Sequence, residues 1–388
     1  MNKKYSQPIT FFIITILIVI TFSGCIEKNQ KHDVEKVSTP KINLNQPSIL
    51  PDWNDGKYHD YYGTIEMMND FNDKYPNLVK IFSIGKSVLD SDIWCIRLTN
   101  EKNNNRKLSC LIDGCIHGNE WEAGEACLYL AEYLLINFDN NETITNILNS
   151  SEIYIVPLLN PDGRQADTRW NDNGVDLNRN FDVHFGRLRS GNYPLGKLFG
   201  IIKIPYIRHP LRKNSVLGQY SSNCGRYAFS EPETQALKSL VKSLDNFAFY
   251  VNCHTAQHGV IPIVNVDYKP EYTASQKEKK VYNFAEDWIG EQTEYSSCHV
   301  DDVSFPGAGF AHHWIFKEFR IPSFCFELLS KDYDPYFWHG KHDHLVHWMK
   351  TTVPVFMYFL ENIENFYNWK IPYIEPSLPE GIPPQPLK

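Results

Sequence analysis

Leu108-Ser-Cys-Leu-Ile-Asp113-Gly-Cys-Ile-His117-Gly-Asn-Glu120 opens on an apolar, β-rich run, turns through two glycines, and passes into a helical pattern over 120–136. An apolar run of this length, bounded by turn residues, reads as a strand buried on both faces. The same alternation repeats outward along the chain. Strands are expected at 79–84, 93–98, 108–113, 152–157, 248–253 and 323–327, with helices at 64–75, 120–136, 231–244, 275–292 and 345–368. Continuous apolar strands between amphipathic helices predict an α/β fold, a mixed and mainly parallel sheet with helices on both faces. In such sheets ligands bind outside the carboxyl ends of the strands. His117 and Glu120 follow one such end, His254 directly follows the strand at 248–253, and Glu327 closes the strand at 323–327.

The chain has 388 residues, 42% hydrophobic and 14% aromatic, which is ample for one large domain. Lys and Arg number 38 against 46 Asp and Glu, a net charge of −8. That balance excludes an electrostatic nucleic-acid binder, which needs a clustered basic face. Residues 1–25 read as an export signal: Lys3 and Lys4 precede an apolar run over 9–22, then Ser23-Gly24-Cys25. The run is shorter than the roughly 20 residues of a spanning helix. Its Phe-Ser-Gly-Cys end resembles a lipoprotein cleavage site, with Cys25 as the lipid-bearing residue. Residues 26–54 are polar and tether-like, 55–372 read as one large folded domain, and 373–388 hold five prolines and read as an extended tail. An exported protein is expected, held at the outer face of the membrane through Cys25 or else secreted. The eight remaining cysteines allow 105 full pairings, and no bridge is assigned.

Two histidines and one carboxylate leave a fourth position open for water, as a catalytic zinc site requires. A carboxylate ending an apolar strand, as Glu327 does, needs a reason for its burial, and a general base beside that water supplies one. The Asn-rich loop 160–181 brings in Arg169 and Arg179. Two guanidiniums near a hydrolytic metal suit two tasks, stabilising an oxyanion and gripping a carboxylate at two points.

Taken together, these pieces resemble the zinc carboxypeptidases of the carboxypeptidase A type. They are His117-x-x-Glu120, Asn160-Pro-Asp-Gly163, Asp176-x-Asn178-Arg179-Asn180, Ser230-Glu-Pro-Glu-Thr234, His254 and Phe326-Glu327. The resemblance spans about 55–370 and implies one Zn²⁺ on His117, Glu120 and His254, the ligand set known for that family. It implies that Glu327 is the catalytic base and Arg169 the catalytic oxyanion donor. Asn178 and Arg179 would bind the free C-terminal carboxylate of a peptide substrate. His312, about fifteen positions before Glu327, would face the substrate's terminal side chain, with His313 as its neighbour, and a polar pocket base favours polar or acidic side chains.

Departures from the family pattern are visible too. The loop 299–305 lacks the tyrosine the family places there, and 183–227 reads as an insertion. The 30 or so residues between signal and domain are too few for a folded pro-domain. The wording from Arg169 to Arg179 also resembles the branch that cleaves γ-D-glutamyl-diamino-acid bonds in cell-wall peptides. A deacylase of N-acyl amino acids on the same fold, and a binding lipoprotein that has lost catalysis, are the other readings. The histidines at 339, 342, 344 and 347 show no metal-ligand spacing that makes a second site compelling.

Overall fold

A computed structural model of the protein describes residues 58–185, 224–255, 259–262, 273–293, 295–301, 308–328 and 342–370. The Cys25 segment, the tether, the tail, most of the 183–227 insertion and of the 299–305 loop, and His339 lie outside the described residues. Among them, seven strands form one sheet: β1 (Val79–Lys86), β2 (Asp92–Leu98), β3 (Leu108–Asp113), β4 (Ser151–Val156), β5 (Phe247–Thr255), β6 (Gly259–Ile261) and β7 (Ser323–Leu328). The order is β1-β2-β4-β3-β5-β7-β6. The central strands β4, β3, β5 and β7 run parallel, while β2 and β6 run against their neighbours. The expected mixed, mainly parallel sheet is therefore found. From β3 the chain moves to β4 on one side and then crosses back to β5 on the other. This reversal opens a crevice at the carboxyl ends of β3 and β5.

The helices are α1 (Tyr61–Lys74), α2 (Trp121–Asn137), α3 (Glu142–Ser150), α4 (Pro161–Gln165), α5 (Pro232–Ser243), α6 (Gln276–Gln292), α7 (Ala311–Phe319), α8 (His342–Glu361) and α9 (Ile363–Tyr367). They cover both faces, because the strands alternate two apolar sets. Cys110, Ile112, Phe249, Val251, Phe324 and Phe326 pack with the apolar sides of α1, α2, α6 and α8. Leu111, Val156 and Tyr250 pack on the other face with Leu237 and Val241 of α5 and Trp314 and Ile315 of α7. Each buried aromatic or aliphatic side chain is worth about 1.5–3 kcal/mol of transfer free energy.

Two local rules set the helix starts. Ser275 caps α6 in a capping box with Glu278, and Asn141 caps α3 through Ile144 N–H. The single helix expected over 345–368 is instead two pieces, α8 and α9, joined at Asn362. The Asn362 side chain donates to the Tyr358 carbonyl at 3.0 Å, so side chain and backbone share one acceptor at the join.

Candidate active site

The turn after β3 carries the first two site residues. Gly118 is required there by close packing: a Cβ on it would lie 2.0 Å from the carbonyl carbon of Gly163, in the Asn160-Pro-Asp-Gly turn after β4. Asn160 fastens that turn by accepting from Gly163 N–H at 2.9 Å. Glu120 stands at the N-cap of α2 yet makes no capping bond, so its carboxylate is free for other partners. Those partners are the two histidines. His117 Nδ1 lies 2.7 Å from Glu120 Oε1, and His254 Nδ1 lies 2.8 Å from Oε2.

His117, Glu120 and His254 are all at most 3% exposed, and their donor atoms lie within 4.8 Å of one another. Two imidazole nitrogens and a carboxylate oxygen converging in this way suit a zinc ion, for which this donor set leaves a position open. Burial disfavours charge on Glu120, but the two imidazoles outweigh it and hold the carboxyl well below its usual range. Burial, joined by the charges of His117 and Arg169, outweighs the pull of Glu120 and lowers the pKa of His254.

A second layer fixes the rings. His117 Nε2 lies 3.1 Å from Asp176 Oδ1. A metal-binding histidine usually donates its other N–H to such a carboxylate. Asp176 Oδ2 accepts from Arg169 Nε at 3.0 Å, and Arg169 Nη1 reaches Glu120 Oε1 at 3.4 Å. Burial would raise the Asp176 pKa, yet Arg169 and Arg179 drive it well below the usual range. Arg169, Asp176, His117 and Glu120 thus form one charge-compensated chain.

Glu327 is level with His254 in the parallel register of β5 and β7, so their side chains stand side by side on one face. Burial first, and the charge of Glu120 second, push the Glu327 carboxyl up to about 8.

On the far side, Arg179 lies over the Phe310 ring with its Cζ 4.3 Å from the centroid and donates to the Asn178 carbonyl at 2.9 Å. Burial lowers the pKa of Arg179 to about 10. Gly309, at φ +72, lets the segment before Phe310 approach: a Cβ there would sit 2.1 Å from the Arg179 carbonyl oxygen. Asn178 has its Oδ1 taken by Ala311 N–H at 2.9 Å, with its Nδ2 lying 3.0 Å from His254 Nε2. His312 is buried at the start of α7, stacked on Phe310 with ring centroids 5.6 Å apart. Its Nδ1 has no hydrogen-bond partner among the described residues. Burial, then His313 and His254, hold its pKa well below the usual range.

All eight singled-out residues therefore gather at the carboxyl ends of β3, β5 and β7. Asp176, Asn252 and Phe310 were given no role from the sequence, although each touches a residue that was. The signal for Asn252 was present, as a polar residue inside the apolar run of β5.

With this geometry in place, comparison with known proteins decides the family. A profile of the Peptidase M14 family, zinc carboxypeptidase, matches residues 64–342. The chain belongs to that family. It is a zinc metallopeptidase, a hydrolase. It is 23% identical to carboxypeptidase O of Bos taurus over 342 residues, covering 82% of each chain. A zinc carboxypeptidase of Saccharothrix mutabilis subsp. capreolus is 28% identical over 42% of this chain and 41% of its own. Among solved structures, thrombin activatable fibrinolysis inhibitor superposes with TM-score 0.63 at 19% identity, over 84% of this chain and 78% of that one. Carboxypeptidase A of Helicoverpa armigera gives 0.58 at 18% identity, over 89% and 80%. These likenesses show the zinc carboxypeptidase fold.

Proposed function

We propose that this family member removes the C-terminal residue of peptides, using one zinc ion on His117, Glu120 and His254. The observation that carries the reading is the buried His-Glu-His cluster between two arginines, only one of which is neutralised. Arg169 is paired with Asp176, whereas Arg179 makes no ion pair among the described residues. A half-buried guanidinium without a carboxylate suits an anionic end of the substrate.

When bound, zinc supplies a Lewis acid that polarises the scissile carbonyl and eases ionisation of water. Glu327 takes the proton of the attacking water and hands it to the leaving amine. Arg169 donates to the developing oxyanion. Arg179 grips the terminal carboxylate, and Asn178, its oxygen already taken, offers that anion only N–H groups. His312 lines the pocket for the terminal side chain and favours polar or acidic groups. Lipidation at Cys25 would hold the enzyme at the outer membrane face, and the intact mass of protein from the membrane fraction tests that anchor.

The main test is mass-spectrometric profiling of the zinc-loaded and chelated protein on free, amidated and branched cell-wall-type peptides. Cleavage should need zinc and a free C-terminus. Amidation, or Arg179→Ala, should cost about 10²-fold or more in kcat/KM, as hydrogen bonds to charged groups contribute roughly 1.5–3 kcal/mol each. Equal cleavage of amidated peptides would mean endopeptidase chemistry. Cleavage of the branched peptides alone would select the cell-wall reading, cleavage of N-acyl amino acids alone the deacylase, and no cleavage at all the binding lipoprotein.

A further inference from the structure

The face that carries the metal ligands continues beneath them as a buried polar row. Asp113 on β3 is level with Asn252 on β5, two residues before His254, and Tyr250 lies two residues before that. Tyr250, Asp113 and Asn252 are fully buried. The Tyr250 hydroxyl donates to Asp113 Oδ2 at 2.6 Å, and Asn252 Nδ2 donates to Asp113 Oδ1. The Asn252 oxygen then faces His254 Nε2 at 2.5 Å. From this geometry we infer that Asn252, oriented by Asp113, is a positioning residue that selects the His254 tautomer able to bind metal. The inference rests on the reading of His254 as a zinc ligand.

An amide can present either its oxygen or its NH₂ to a neighbour. Asp113 settles the choice for Asn252, because its Oδ1 accepts and draws the NH₂ toward itself. Only the oxygen is left for His254, and an oxygen can only accept. His254 Nε2 must therefore carry a hydrogen. A neutral imidazole has one N–H, so Nδ1 keeps its lone pair, aimed at Glu120 Oε2 2.8 Å away in the metal cluster.

A competing contact points the other way. Asn178 Nδ2 lies 3.0 Å from the same Nε2, its amide fixed by Ala311 N–H on its oxygen. That donor would favour a bare Nε2 and a hydrogen on Nδ1, which would block the metal. The Asn252 contact is shorter by 0.5 Å, taking 3.0 Å minus 2.5 Å. Its oxygen also belongs to an amide polarised by a buried carboxylate, so Asn252 prevails. The two histidines thereby receive the same instruction by different routes. His117 Nε2 meets the Asp176 carboxylate directly, and His254 Nε2 meets the Asp113 carboxylate through one amide.

The test is made on the full-length protein. Asn252→Leu keeps the bulk of the side chain and removes the acceptor. Zinc affinity, measured by competition with a chromophoric chelator, should fall about 10–100-fold, the usual effect of losing an outer-shell partner. In the ¹⁵N-histidine spectrum of the zinc-loaded unaltered protein, His254 should show a protonated Nε2 and a metal-shifted Nδ1. Unchanged zinc affinity in folded Asn252→Leu would overturn the inference, as would a spectrum with metal on Nε2. If Asn252→Leu does not fold, the spectrum of the unaltered protein decides alone. Failure of the unaltered protein to bind zinc would remove the site reading together with this one; equal binding by protein and variant removes only the role of Asn252.

Discussion

The two faces of the central strands differ in how far their apolar character runs. On one, Cys110 and Ile112, Phe249, Val251 and Cys253, and Phe324, Phe326 and Leu328 stay apolar to the carboxyl ends. On the other, Leu111 gives way to Asp113, Tyr250 to Asn252 and His254, and Ser323 to Cys325 and Glu327. The same strands thus do two jobs through alternate residues. A buried polar group left without a partner costs about 1–3 kcal/mol. The second face is tolerable because Tyr250 and Asn252 both donate to Asp113 and the Asn252 oxygen meets His254 Nε2, while His254 Nδ1 and Glu120 converge with His117 as donors for a metal ion.

If the division is real, damage to each face should have a different signature. The largest expected effect is on the polar face. Glu327→Gln keeps shape and should keep zinc, yet lose at least the roughly 10²–10⁴-fold that general-base catalysis contributes. Near-normal turnover in the zinc-loaded variant would end the assignment.

On the apolar face, Phe324 is fully buried against Tyr282, Phe359 and Phe366. Phe324→Ala should cost about 3–5 kcal/mol in urea unfolding. Zinc affinity and turnover per folded molecule should hardly move. A matching loss of zinc affinity in the folded state would show that the faces are not separable.

The smallest effect concerns pH and the helix cover of the polar face. Glu233, at the start of α5, accepts from Val88 N–H at 3.2 Å and Asn171 Nδ2 at 3.0 Å. Burial chiefly, helped by the nearby Glu231 charge, pushes its carboxyl from 4.5 up to about 7. With the folded value above the unfolded one, the associated stability is complete below 4.5 and is lost as pH rises through about 7. Glu233→Gln cannot ionise, so melting temperatures compared on either side of that window should shift in the variant's favour at the higher pH. Parallel curves for the two proteins would refute a perturbed Glu233.

Much of this was legible in the sequence because long apolar strands leave little choice. The expected β3 agrees residue for residue with the observed strand, and β1, β2, β4, β5 and β7 differ only at their ends. The residues of the His-Glu-His cluster stood out for the same reason, as polar residues placed at or just after the ends of such strands. What escaped were short elements and relations across the chain. The three residues of β6 have no pattern to read, and α3 and α7 have only nine each. Asp176 is only one carboxylate of a polar loop until folding brings it to His117, 59 positions away. Asn252 interrupts an apolar run just as His254 does, but only the residue at the strand end was read as chemistry.

The contact between Gly118 and Gly163 has a consequence for how such a site varies over generations. One glycine belongs to the turn with His117 and Glu120, the other to the turn that leads into the loop with Arg169 and Arg179. Neither position has room for a single carbon, so the main chains of the two turns bear directly on each other. A shift in one is handed to the other with no side chain between them to absorb it. A misplacement of about 1 Å can cost 10²-fold in rate. Inherited changes in this half of the site must therefore keep both turns in step. Freedom to diversify lies across the crevice, where His312 meets its neighbours through side chains that can be exchanged one at a time.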